Sequence, residues 1–124
     1  MNATITAENK TNFLLIESQG DLLNTADLFE HCRIVFAEIA KHGLKKVLIN
    51  EPQLNFPRGL FQYYDLVMQY VNNFPPELRY LKLAVVMSKD YKEIADFWET
   101  VSVNHGFEFF TFDNYEEAHT WLLT

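Results

Sequence analysis

The chain has 124 residues, the usual length of one domain and enough to bury a core. Seventeen acidic and ten basic residues give a formal net charge of −7, so we expect no basic surface for nucleic acid or anionic membranes. The single cysteine excludes an internal disulfide and a cysteine-based metal cluster, and a hydrophobic content of 48% indicates a folded chain.

The N-terminal residues also bear on where the protein acts. Met1 to Thr6 lack the basic and apolar regions of a signal peptide. No apolar run approaches the roughly 20 residues that a membrane span requires. We therefore expect a cytoplasmic protein without stable membrane insertion.

Strand and helix patterns alternate along the chain. β-branched and apolar runs mark the strands, and apolar residues at helical spacing mark the helices. Asn24 or Thr25 can cap the first helix, and Gly43 can end it in the left-handed conformation. The predicted strands are 3–7, 13–18, 46–50, 81–87 and 107–112, and the predicted helices begin near residues 24, 56, 88 and 114.

This order predicts the architecture. Strands that alternate with helices indicate parallel crossover units, and the hairpin at the start adds one antiparallel strand. We predict one α/β domain over residues 1–124. It contains a five-stranded mixed, mostly parallel sheet, an N-terminal antiparallel hairpin and four helices.

The second predicted helix, over residues 56–73, has unusually little polar surface. Its polar residues fall on one narrow stripe, and the remainder is apolar or aromatic. Either the helix is buried between its neighbours, or a second apolar face docks a partner, most simply another copy of the chain. The candidate interface residues are Phe56, Phe61, Tyr63, Leu66, Tyr70 and Phe74.

The loop predicted at 51–55 and the start of this helix form a candidate ligand site. Arg58 lies in the first helical turn, where a guanidinium and the free backbone amides can bind an anion. The alternative is a surface ion pair between Arg58 and Glu51. The candidate residues for binding an anion or another ligand are Asn50, Glu51, Asn55, Arg58 and Gly59.

No motif predicts catalysis or metal binding. The four histidines, at positions 31, 42, 105 and 119, lack metal-ligand spacing. Cys32 lies on the apolar face of the first predicted helix, where a thiol is a small buried hydrophobe. The chain has neither a nucleophile elbow nor a glycine-rich phosphate loop. We therefore expect no catalytic residues, no metal, no cofactor and no enzymatic activity.

The element order, together with several short motifs, resembles the STAS-type domain, in particular its SpoIIAA-like group. The motifs are Val47-Leu-Ile-Asn, Gly59-Leu60, Leu83-Ala-Val-Val-Met, Phe107-Glu-Phe-Phe-Thr-Phe and Tyr115-Glu-Glu-Ala-His-Thr-Trp-Leu. This group is related to anti-sigma-factor antagonists and to the lipid-binding Sec14 fold. The resemblance implies the fold and a regulatory or binding type of function.

The chain differs from anti-sigma-factor antagonists at the position of their phosphorylation site. Anti-sigma-factor antagonists carry an Asp-Ser-Ser-Gly-Leu-type motif whose serine is phosphorylated. Aligning Gly59-Leu60 with that motif places Pro57 and Arg58 at the serine positions, so the resemblance does not imply a phosphoserine switch here.

Two functions remain open at the level of sequence. The first is a regulatory or interaction module that acts through protein–protein contacts of the loop and second helix, as a homodimer or with another protein. The alternative is a domain that binds a small apolar ligand or lipid, with Arg58 at the mouth of its cavity.

Overall fold

The computed structural model describes residues 1–59, 64–65, 68–69, 72 and 79–124. Within these ranges the chain forms five strands, three complete α-helices and the complete 3-10 turn Lys89–Tyr91. The strands are β1 (Asn2–Asn9), β2 (Leu14–Asp21), β3 (Lys46–Asn55), β4 (Lys82–Met87) and β5 (Glu108–Phe112), and the helices are α1 (Thr25–His42), α2 (Lys92–Asn104) and α3 (Tyr115–Leu122).

The five strands form one mixed sheet in the order β1-β2-β3-β4-β5. β1 pairs with β2 antiparallel, and the other three pairs are parallel. The predicted five-stranded sheet with an N-terminal hairpin is therefore confirmed. Every parallel pair is joined by a crossover, as parallel strands require.

Two apolar layers cover the two faces of the sheet. Helices α1 and α2 pack on one face, and α3 packs on the other. Alternate residues of the central strands point to opposite faces of the sheet. Ile16 packs in the layer with α1 and α2, and Leu15 packs in the layer with α3. β2 is thus buried on both faces, as its continuous apolar run predicts.

The ends of α1 follow the capping rules. The side chain of Asn24 accepts a hydrogen bond from the backbone N–H of Asp27. At the other end Gly43 has a φ of 68°, and its N–H donates to the carbonyl of Ile39. These contacts fix both the length of α1 and the direction in which the chain enters β3.

The prediction of a loop at 51–55 is wrong, because β3 continues to Asn55. The register against β2 moves from Glu17 opposite Asn50 to Gln19 opposite Gln53, which is a β-bulge in β3. The bulge accommodates Pro52, whose missing N–H would otherwise interrupt the strand pairing. Glu51 continues the alternation of Val47 and Ile49 and faces the layer of α1 and α2.

The second predicted helix falls largely outside the described residues. Its described members, Tyr64, Asp65, Met68, Gln69 and Asn72, are helical. The predicted polar stripe consists of Arg58, Gln62, Asp65, Gln69 and Asn72. All of these except Gln62 are described, and those four are exposed.

Candidate functional site

Three polar side chains meet in the core between the sheet and α1. Ser18 on β2, His31 on α1 and Glu51 on β3 are 4%, 5% and 6% exposed. The hydroxyl of Ser18 and Nε2 of His31 form a hydrogen bond of 3.0 Å. Oε2 of Glu51 lies 3.6 Å from the same nitrogen and has no hydrogen-bond partner in the described part of the chain.

The periodicity of each element brings these side chains together. Ser18 follows Leu14 and Ile16 on one face of β2. Glu51 follows Val47 and Ile49 in the same way on β3. The sequence did not predict this site, because His31 lacks metal-ligand spacing and Glu51 was expected in a loop.

Burial shifts the pKa values of both Glu51 and His31. Removal from water raises the pKa of Glu51 from its ordinary 4.5 to about 8. It lowers the pKa of His31 from 6.5 to about 4. At pH 7 both side chains are therefore neutral, and the apolar layer holds a carboxylic acid beside an uncharged imidazole.

The arrangement does not have the geometry of a catalytic triad. In a triad the imidazole contacts the nucleophile through one ring nitrogen and the carboxylate through the other. Here Ser18 and Glu51 both approach Nε2 of His31. The buried Ser18 hydroxyl is also shielded from a substrate in solvent.

An apolar pocket lies beside Glu51 and His31, and we call it the inner pocket. It has about 60 Å³ of space in which the centre of a water molecule fits. Its described walls are apolar or aromatic except at His31, Glu51 and the thiol of the buried Cys32. The lining residues are Leu28, His31, Cys32, Val35, Phe36, Ile49, Glu51, Phe56, Leu83, Val85, Met87, Trp98 and Phe109.

Arg58 lies in a separate depression at the carboxyl ends of β3 and β4, which we call the outer cleft. Its volume is about 460 Å³, and its described lining is Phe56, Pro57, Arg58, Gly59, Asp90, Tyr91, Glu93 and Ile94. One guanidinium faces two carboxylates there, a balance that does not favour an anion. Phe56 lines both the outer cleft and the inner pocket, so its ring stands between them.

The structure separates the five predicted ligand-site residues. Asn50 faces the sheet surface opposite to Glu51 and donates through Nδ2 to Oε2 of Glu17 at 3.2 Å. Asn55 is exposed and donates to Asp21 at 2.7 Å. Only Arg58 and Gly59 share the outer cleft. Between the two described residues Arg58 and Glu51 no ion pair forms, because Glu51 points into the core.

The predicted interface is described at one of its six residues. Phe56 is buried and packs edge-on against the ring of Tyr91, with 5.1 Å between ring centroids. Phe61, Tyr63, Leu66, Tyr70 and Phe74 lie outside the described residues. Their neighbour Tyr64 is 54% exposed and stacks on Phe97 of α2, with 5.4 Å between ring centroids.

The described residues also bear on metal binding and on membrane insertion. In the described ranges no group of three or more His, Cys, Asp or Glu side chains is placed to hold a metal ion. None of the helices described there is both long and apolar enough to cross a membrane.

Comparison with solved structures identifies the fold. The chain superposes on an uncharacterised protein of the DUF3478 family from Shewanella loihica, which has a SpoIIAA-like fold. The TM-score is 0.55 at 18% identity, and the match covers 98% of this chain and 93% of the other. No family model matches the sequence, and no curated protein is significantly similar to it. The chain therefore has the SpoIIAA-like fold, and the resemblance to STAS-type domains is confirmed at that level.

Proposed function

We infer that the protein is a non-enzymatic, cytoplasmic STAS-like module that regulates or assembles through protein–protein contacts. The fold supports this inference, because SpoIIAA-like domains resemble a class of contact-dependent regulators. The positions aligned with the phosphorylated serine hold Pro57 and Arg58, so the contact would be independent of phosphorylation.

The observation that carries this inference is the exposure of Tyr64. It belongs to the side of the 56–73 segment that the sequence assigns as apolar, yet more than half of its surface is open to solvent. Its ring stacks on Phe97, so it forms an aromatic surface that is fixed to α2. Exposed, ordered aromatic side chains are enriched at protein interfaces.

The test is the oligomeric state measured by size exclusion with light scattering over a range of protein concentrations. We expect a homodimer that Tyr64→Glu dissociates. Tyr80→Glu is the matched control, because Tyr80 is also exposed and lies outside the 56–73 segment. A monomeric wild type, or a dimer that both variants leave intact, would contradict this interface.

A second candidate function is binding of a small ligand or lipid, and the inner pocket favours it. Apolar walls with a small number of polar groups are typical of ligand sites. Arg58 lies in the outer cleft and not in the inner pocket, which differs from its predicted place at the mouth of a cavity. Native mass spectrometry of protein purified from its own host tests this function through a bound mass that disappears on denaturation.

A further inference from the structure

We propose that the free edge of β1 binds an extended segment of another protein, in which apolar residues alternate with Lys or Arg, and that this segment joins the sheet as a sixth strand. The proposal goes beyond the contact at Tyr64 and concerns a different surface. It depends neither on that contact nor on the inner pocket.

The backbone of β1 has a row of hydrogen-bonding groups that point away from the sheet. β1 is a terminal strand, and the N–H of Lys10 at its end donates to the carbonyl of Phe13. Hydrogen-bonded pairs alternate along an antiparallel pair, so the even-numbered residues of β1 bond to β2 and the odd-numbered residues point outward. Among the described residues, no hydrogen bond from another element reaches the backbone of Ala3, Ile5 or Ala7. A further strand can therefore pair with this edge.

β1 also lacks the features that usually protect an edge. It is eight residues long, contains neither Pro nor Lys, and pairs with β2 without a bulge. The opposite edge, β5, has only five residues, and the N–H of Thr111 there donates to Oε1 of Glu99 on α2 at 2.7 Å. Of the two edges, β1 is thus the one that can accept a partner strand.

The surface between β1 and α1 favours apolar residues in that partner. α1 lies over β1 and β2, and Ile5 is half-buried beneath it. Phe36 faces Trp98 of α2 across the inner pocket. Ile34 lies about 200° around the helix from Phe36, so it is on the flank of α1 nearer to the edge of β1. Ile34 is half-buried and lies outside both apolar layers, so every second side chain of an added strand would pack beside Ile5 and Ile34.

The charges near the edge favour basic residues at the other positions. Glu8 and Glu17 are exposed on the face of the hairpin opposite to α1, and Glu38 lies on the same flank of α1 as Ile34. Lys10 contacts Glu8 at 3.2 Å, so acidic groups outnumber basic ones in this set. A second copy of the chain, with its net charge of −7, would bring the same acidic residues against them, whereas a basic segment is attracted.

The experiment titrates into the full chain a synthetic peptide of about nine residues, the length of a strand, in which Val alternates with Lys and Thr. Amide NMR shifts and hydrogen exchange report the binding. We expect saturable shifts in β1 and exchange slowed about tenfold at Ala3, Ile5 and Ala7, because each outward N–H gains a hydrogen bond. Thr4 and Thr6 already bond to β2 and should change much less. The same peptide with Glu in place of Lys should bind about tenfold more weakly.

Two substitutions at Ala7 test the role of the backbone. Ala7→Pro removes an N–H that points outward, a position at which edge strands tolerate Pro. It should weaken peptide binding about tenfold, whereas Ala7→Ser keeps the N–H and should retain the wild-type affinity. The comparison of the two peptides on the wild type stands as a test even if Ala7→Pro does not fold.

Four outcomes would overturn the proposal: no saturable binding, equal protection at odd and even residues of β1, equal affinity for the two peptides, or equal affinity of the two Ala7 variants. Protection of the odd residues that grows with protein concentration in the absence of peptide would make a second copy the occupant and would also overturn it. The contact at Tyr64 is tested separately, by the dissociation of a dimer, so either proposal can fail alone.

Discussion

Oε2 of Glu51 lies 3.6 Å from Nε2 of His31, and both side chains are almost completely removed from solvent. An acid and a base placed this close in water would exchange a proton and form an ion pair. Here burial disfavours both charged forms, so the pair is neutral around pH 7. The free energy of unfolding should therefore change with pH wherever Glu51 or His31 is protonated to a different extent in the folded and the unfolded chain.

The wild type should lose stability as the pH rises towards 8, and Glu51→Gln should prevent this loss. The folded chain keeps the Glu51 proton up to about pH 8, whereas an unfolded chain loses it near 4.5. Each pH unit between these values lowers the free energy of unfolding by about 1.4 kcal/mol. His31 has the opposite effect below its unfolded pKa of 6.5, because there only the unfolded chain binds the imidazole proton.

The two effects cancel between about pH 4.5 and 6.5. From pH 6.5 to 8 Glu51 acts alone, and the wild type should lose up to about 2 kcal/mol that the Gln variant retains. Urea unfolding at several pH values measures the difference. Glu17→Gln, on the exposed face, should follow the wild type, and a parallel pH dependence in Glu51→Gln would contradict the assignment.

His31 itself should stay uncharged in the folded protein. Its pKa of about 4 predicts that its ring NMR signals do not move between pH 6.5 and 5.5, a range in which Glu51 also keeps its proton. The same histidine in urea-unfolded chain should titrate near 6.5 and serves as its own control. A folded-state midpoint near 6.5 would show that water reaches the imidazole.

Two buried serines should respond differently to alanine. Ser18 shares a hydrogen bond with His31, so Ser18→Ala leaves the imidazole unpaired and should cost about 1–3 kcal/mol. Ser102 on α2 is fully buried, and its hydroxyl has no hydrogen-bond partner in the described part of the chain. Ser102→Ala should be neutral or raise stability by up to about 1 kcal/mol. Chemical denaturation of both variants gives the comparison, and equal losses would be inconsistent with it.

Gly20→Ala should destabilise the hairpin more than Gly43→Ala destabilises α1. Both glycines have positive φ, 118° and 68°. A methyl group on Gly20 would also collide with the backbone oxygen of Asn2 and lie 2.7 Å from Cα of Ala3. A methyl group on Gly43 would have no heavy atom of the described neighbouring residues within 4 Å. We expect about 1 kcal/mol for Gly43→Ala and at least twice that for Gly20→Ala, measured by thermal unfolding. The reverse order would argue against the pairing of β1 with β2.

Most of the fold could be predicted because local signals agreed with the global arrangement. Helix α1 has an apolar face, an Asn cap and a terminal glycine, and its predicted limits match the structure. The extension of β3 to Asn55 could not be predicted, because Pro52 normally ends a central strand and a bulge is decided by tertiary pairing.

The buried cluster was missed although the pattern contained it. His31 stands three residues after Leu28 and four before Val35, which places it on the core face of α1. What the pattern could not supply is the contact with Glu51, because that depends on how α1 packs on the sheet and on the β2–β3 register that brings Ser18 beside Glu51.

The bulge in β3 has a consequence for how this segment can vary in length. Two residues of β3 stand where β2 has one, and the bulge absorbs the additional residue, so that Leu54 and Phe56 face the same layer as Ile49. Removing either Pro52 or Gln53 would restore regular alternation and leave Leu54 and Phe56 facing that layer, whereas removing both would turn them to the other face of the sheet. Natural variants should therefore lose one residue between Glu51 and Leu54 more often than two.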